Sequence, residues 1–285
     1  MQQNRKGKVF DSSEVEFQKP SWLVPGNRIT GMRALRYPRV VSLIVAVLAV
    51  GCGREAYERR LQETSHYFAY LDKLNQNLSA PWAGKGVQLR VPKSFIVIPP
   101  PQQKKKGAPA DQRDPRQPTF ADITFPGLQG AFTTDLVVSG KKTPEKGYLY
   151  VLTNGELLGR KGSDEKAAAF NNAVLHTIAE AVGQPDPPPE KLVNNSVPKG
   201  EAWVPKRTFK VVRPGFPASI SGKDYRIEVY NTKQEKSQIS LVYVLPENAS
   251  PKLANNIDLS LETLQVTQPS GGGAGPQPTS TKGGI

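Results

Sequence analysis

The chain is poor in the residues that most often carry chemistry. Its 285 residues include one cysteine, Cys52, and two histidines, His66 and His176. A single cysteine excludes an intramolecular disulfide and any metal centre built on several thiolates. Neither histidine has a second histidine or a cysteine at ligand spacing, so each reads as a surface or helix-packing residue. Catalytic signatures are missing too: no HExxH, GxSxG, Walker A or GxGxxG element occurs. The carboxylates are scattered. Asp111 and Asp114 lie in a basic segment, and Asp164 and Glu165 stand at a helix start, where the helix dipole accounts for them. Two acids far apart in sequence can still form a glycosidase pair, but nothing here favours one. No cofactor is implied.

Long apolar runs are lacking as well. The main one, Val40–Val50, has eleven residues, whereas a membrane-spanning helix needs about 20. Eleven is right for the apolar region of an export signal. Arg33, Arg36 and Arg39 precede it as a basic flank of the kind held on the cytoplasmic side. Leu48-Ala49-Val50-Gly51-Cys52 follows, ending on the only sulfhydryl of the chain.

This stretch resembles the signal of bacterial lipoproteins. Their lipobox places small or aliphatic residues before an invariant cysteine. Gly51 and Val50 match it, Ala49 stands where leucine is usual, and Leu48 lies one place earlier. The resemblance implies a diacylglyceryl group on the Cys52 sulfur and a cut between Gly51 and Cys52, leaving a palmitate-type lipid anchor. It covers about 20 residues and implies nothing about the other 230 or so. The competing reading is an uncleaved N-terminal anchor with an incidental cysteine. A start at Met32 would give a signal of ordinary length, residues 32–51, with residues 1–31 a disordered extension or a misassigned start. Gly53, rather than aspartate, after the cysteine leans toward the outer membrane. The expected location is the cell envelope, facing the periplasm.

Beyond the signal the composition is basic. The net charge is +13, and eight basic and three acidic residues precede Gly51, so +8 remains on the mature chain. That charge suits anionic lipid or an acidic envelope polymer, and it also suits plain solubility. Lys104, Lys105 and Lys106 form the sharpest cluster and offer a contact for anionic surfaces, worth about 1 kcal/mol per lysine near a charged bilayer. Nucleic acid is disfavoured, because no aromatic interleaves the cluster before Phe120.

Residues 54–79 carry Tyr57, Leu61, Phe68, Leu71, Leu74 and Leu78 at three-, four- and seven-residue steps, the stripe of an amphipathic helix ended by Pro81. Residues 52–84 therefore read as the lipidated cysteine and its helix. A domain over 85–266 follows. Its expected strands are Val87–Val91, Phe95–Ile98, Phe132–Val138, Tyr148–Thr153, Thr208–Arg213, Tyr225–Asn231 and Gln238–Leu245. A flexible loop is expected near 100–118, rich in proline, lysine and glutamine. Asn154-Gly155 predicts a hairpin returning over Glu156–Arg160. Ser163 predicts a helix to Val182 stopped by Gly183, with Ala169, Phe170, Ala173, Val174, Ile178, Ala181 and Val182 inward. Residues 184–200 read as a Pro-rich connector. Ser250-Pro251 predicts a final helix with Leu253, Ile257, Leu261 and Leu264 inward. A Gly/Pro/Ser tail over 267–285 closes the chain.

The fold class expected is α+β, a mainly antiparallel sheet covered by helices. The predicted core is Phe170, Val174, Ile178, Ile257, Leu261, Tyr225, Ile227, Val229, Leu241 and Tyr243. The function expected is that of a membrane-anchored envelope lipoprotein, binding or structural in role, with its protein partner undetermined. An exported hydrolase without a recognisable motif is the alternative.

Overall fold

The computed structural model describes residues 38–101, 113–138, 143–199 and 204–266, with the backbone alone over 38–53. The expected extension 1–31 and tail 267–285 lie outside these residues. The chain divides into two compact units, Met1–Glu58 and Arg59–Ile285. In the first, the described backbone is helical and belongs to α1, Pro38–Asn77. No described helix is long and apolar enough to cross a membrane.

The second unit is α+β. Its large sheet has eight strands, and every pairing between them is antiparallel. The strands are β3 (Ile96–Ile98), β4 (Leu128–Leu136), β5 (Glu145–Thr153), β6 (Leu192–Val197), β7 (Arg207–Val212), β8 (Phe216–Ile220), β9 (Lys223–Gln234) and β10 (Ser237–Pro246). They lie in the order β3-β4-β5-β10-β9-β7-β6, and β8 shares the outer side of β9 with β7. A second sheet joins β1 (Trp82–Gly84), β2 (Val87–Leu89) and β11 (Gln265–Val266). Three further helices are α2 (Asp164–Ala168), α3 (Phe170–Ala181) and α4 (Pro251–Glu262).

Both faces of the large sheet are covered. On one, Phe170, Val174 and Ile178 of α3 pack with Ile227, Val229, Val242 and Val244. On the other, Ile257 and Leu261 of α4, with Val87 and Leu89 of the small sheet, pack with Leu241, Tyr243, Leu149 and Val151. Side chains alternate across a strand. The central hairpin therefore feeds the two cores alternately: Val242 pairs with Val229 on the α3 side, and Leu241 with Tyr230 on the α4 side. This double cover is why β9 and β10 read as near-continuous apolar runs rather than as strict alternation. All ten residues expected in the core are buried.

Corrections fall where local signals compete with tertiary contacts. The stripe of α1 is not buried along its length. Leu74 and Leu78 pack against Leu259, with Leu71 half-buried, whereas Tyr57, Leu61 and Phe68 are 63%, 51% and 59% exposed. The expected helix over 164–182 is two helices, because the backbone leaves helical geometry at Ala169. Ser163 makes no side-chain cap. The break shifts the phase, so Leu175 and Ala179 are buried while Ala169 and Ala173 are exposed. The supposed connector 184–200 holds β6, a sheet edge paired to β7. Its sequence, LVNNSV, has two asparagines and little β-propensity of its own, so the pairing decides. Of the expected flexible loop near 100–118, residues 102–112 lie outside the described residues, and the rest is tied down: Arg113 donates to the carbonyls of Pro118 and Ile123, and Arg116 pairs with Asp114 at 2.7 Å and donates to Gln129 O.

Asn154-Gly155 does not turn a hairpin. Thr153 Oγ1 caps a short 3-10 turn, Asn154–Glu156, and no strand returns over 156–160. Asn154 is buried. Its Nδ2 donates to Ala167 O and Lys236 O, and its Oδ1 accepts from Gln238 N at 2.9 Å. One side chain thereby ties the end of β5 to α2 and to the β9–β10 turn. By contrast Ser250 Oγ accepts from Lys252 N, as its place before Pro251 predicts, and Leu253, Ile257, Leu261 and Leu264 are buried. Gly130 serves a close approach. A Cβ there would lie 2.5 Å from the ring of Trp82, which rests on β4 and meets Phe132 edge-on.

Asn154→Ala should lower unfolding free energy by ~3 kcal/mol, since several buried polar groups lose partners at once. Asn154→Asp should do no better, because it sets a carboxylate against two carbonyls. Urea unfolding followed by circular dichroism measures both, and a loss near zero would mean that Asn154 is not a bracket.

Candidate functional site

The lipobox residues Gly51 and Cys52 lie in the helical backbone of α1, with their side chains outside the description. Lys104, Lys105 and Lys106 lie outside the described residues.

What the second unit does build is a groove. The last turns of α1 lie beside α4, joined by Leu74, Leu78 and Leu259. Arg90, just after β2, fixes this corner. Its guanidinium donates to Ser79 O at 2.8 Å and to Asn75 Oδ1 at 2.9 Å. Its backbone carbonyl accepts from Ser260 Oγ at 2.6 Å, and its N–H donates to Thr263 Oγ1. Arg207 adds a bond to the carbonyl of Glu262 at 2.7 Å. With both helices pinned at this end, the space between them is an open groove of about 820 Å³.

Its chemistry is mixed. Lys73 of α1, Lys199 after β6 and Lys252 of α4 face it, together with Asp258 and Glu262. Lys199 and Asp258 are paired at 2.5 Å. Tyr70 OH donates to Glu262 Oε2 at 3.3 Å. Burial, then the charge of Glu262, pushes the Tyr70 phenol up to about 12, so it remains a donor at neutral pH. Burial also raises the carboxyl of Glu262, against the opposing pull of Tyr70 and Lys73. His66 lines the groove. His176 instead pairs with Asp186 at 3.0 Å on the surface, away from it. Among the described residues no three histidine, cysteine, aspartate or glutamate side chains converge to hold a metal. The arrangement can recognise charge along a groove, and the Tyr70–Glu262 pair is a structural latch.

The groove was not among the sites expected from sequence. Its parts come from α1, the end of β6 and α4, and the missed strand β6 is what delivers Lys199. The one available signal was the unusual polarity of α4, with Lys252, Asn255, Asn256 and Asp258 beside a full apolar stripe.

No family model matches the chain, and no curated protein sequence matches it. Among solved structures it is similar to a protein from Bacteroides thetaiotaomicron VPI-5482, with a TM-score of 0.28 and 8% identity. That likeness covers 64% of this chain and 45% of that one, so the chain matches less than half of its length.

Tyr70→Phe should cost about 1 kcal/mol, because Glu262 loses its donor at a half-buried site. Tyr57→Ala, on the exposed turn, should change stability by less than about 0.5 kcal/mol. Chemical denaturation of the two variants compares them, and equal effects would remove the latch. A second outcome concerns pH. The hydrogen bond to Asp186, then its charge, raises the His176 imidazole above its ordinary value. Its stabilising contribution is therefore complete below the unfolded imidazole value of about 6.5 and is lost as pH rises through the raised folded value. NMR titration should show a midpoint for His176 above that of a free imidazole, falling in Asp186→Asn. An unchanged midpoint in the variant would disprove the pairing.

Proposed function

We propose that this protein is a cell-envelope lipoprotein held to a membrane through Cys52, whose folded unit acts by binding rather than by catalysis. One observation carries the reading. The only cysteine of the chain stands directly after a basic flank, an eleven-residue apolar run and a small residue, Gly51. Cleavage before Cys52 would remove the apolar run and leave the lipid as the means of attachment. One acyl chain gives only reversible membrane binding, at about 0.8 kcal/mol per buried CH₂, whereas the two or three chains of a mature lipoprotein cysteine hold it firmly.

Two features of the described residues support this reading. From Arg59 to Ser65 every residue of helix α1 is exposed, Arg59, Arg60 and Glu63 among them, as a spacer would be. The groove between α1 and α4 offers charge without a nucleophile and base set to react. The proposed location is the envelope, periplasm-facing and on the outer membrane. The partners proposed are the membrane itself, and anionic lipid or an acidic envelope polymer through the basic surface, Lys104–Lys106 included.

Cys52→Ser removes the only sulfur able to take the lipid. Growth of a bacterial host with a labelled fatty acid should label the wild type and leave the variant unlabelled, with the variant migrating as the uncleaved precursor. A wild type that takes up no label and keeps Val40–Val50 would replace this reading with that of an uncleaved anchor.

A further inference from the structure

On the α3 side of the large sheet the helix leaves part of the floor uncovered. There Asn194, Lys210 and Asn231 stand in one row across β6, β7 and β9, as direct cross-strand partners. Paired residues share a face, so the three project together. Asn172 and Leu175 of α3 form one wall, and Lys233 closes the end toward the β9–β10 turn. The cleft so enclosed has a volume of about 390 Å³, within the range of small-ligand sites.

Three properties define what it can take. First, its amides are of two kinds. Asn171 donates to Thr232 O and accepts from Ser240 Oγ, and Gln238 accepts from Asn171 N and donates to Ala168 O at 2.6 Å. Those two are fixed. Asn231 is only 5% exposed, yet its amide makes no hydrogen bond to the described residues, and its Oδ1 is wholly buried without a partner. Its Nδ2 has no partner either and keeps some accessible surface, so it is the end of the amide that a ligand in the cleft can meet. Free of bonds, the amide can turn over and present either its donor or its acceptor. Second, among the described residues Lys210 and Lys233 line the cleft and no carboxylate does. Third, no aromatic ring of the described residues lines it.

We propose that this cleft binds a carboxylated sugar, with its hydroxyls on Asn231, Asn194 and Asn172 and its carboxylate on Lys210 and Lys233. The alternatives fail on the same residues. An apolar ligand would leave Asn231 unpaired. A cation or a free amino acid would bring an ammonium with no carboxylate to meet it. A nucleotide base would find no ring to stack on. A bare inorganic anion would satisfy the lysines alone. The site stands independently of lipid attachment, and it names a chemistry for the envelope polymer of the preceding proposal.

Saturation-transfer NMR on the full chain in detergent tests it, with sodium glucuronate, galacturonate and N-acetylmuramate as probes and glucose and sodium phosphate as controls. At least one of the three acids should bind with a Kd of the order of 1 mM, about tenfold tighter than either control. Asn231→Leu should weaken that binding about tenfold while melting no lower than the wild type, because the amide it removes has no partner to lose. Lys210→Met, on an exposed side chain, should bring the acid and glucose to within about threefold of each other. Three results would overturn the proposal: none of the three acids binding below ~20 mM, binding unchanged in both variants, or phosphate binding as tightly as the best acid. The last would mark a simple anion site.

Discussion

The fold rests on β10. β9 pairs with it along its full length and β5 along Ile239–Val244, and from Gln238 to Pro246 every residue is buried. A strand with partners on both edges and cover on both faces has no polar surface to spare. From Leu241 to Leu245 its two rows of side chains are apolar in alternation, one row for each core, and the buried Gln238 and Ser240 before them are hydrogen-bonded. Val242 and Val244 serve the α3 core, and Leu241, Tyr243 and Leu245 the α4 core. The helices need only supply the matching stripes, and the strands outside β9 and β5 can be progressively more polar. The open cleft exists because that gradient reaches asparagine and lysine at β6 and β7.

Polar groups inside such a structure must be answered by one another. Tyr230 OH donates to Glu228 at 2.7 Å, and Arg226 donates to the same carboxylate at 2.8 Å, so the one acid in the middle of β9 is held by two donors. The same logic makes Asn154 a bracket and Arg90 a clasp. In the cleft the side chains of Asn171 and Gln238 are bonded to their neighbours, whereas the side-chain amide of Asn231 is not.

Much of this fold was legible in the sequence, for identifiable reasons. The strands of the β9–β10 hairpin and α4 are long and strongly patterned, and Ser250-Pro251 marks the start of α4 plainly. Sequence periodicity reports burial on one face or two without distinguishing them. Ile227 and Leu241 were therefore legible as core, while their assignment to opposite cores was not. Asn154-Gly155 misled because the turn propensity of asparagine and its capacity to bracket three backbone groups draw on the same short polar side chain. Strands β6 and β8 escaped because each is short and interrupted, by Asn194-Asn195 and by Pro217, and their pairing comes from β7 and β9. The upper stripe of α1 had the right period and no partner in the domain. Both concave sites lie where three elements distant in sequence meet, which no local pattern encodes.

The export signal is the converse case. As proposed, it is read from sequence alone, because its information lies in order and composition rather than in packing. Intact-mass analysis of the protein extracted from its membrane reads it most directly. The account predicts a chain that begins at Cys52, lighter by residues 1–51 and heavier by a diacylglyceryl group, with or without a further acyl chain on its amino group. A mass that retains Val40–Val50 and shows an unmodified Cys52 would contradict it.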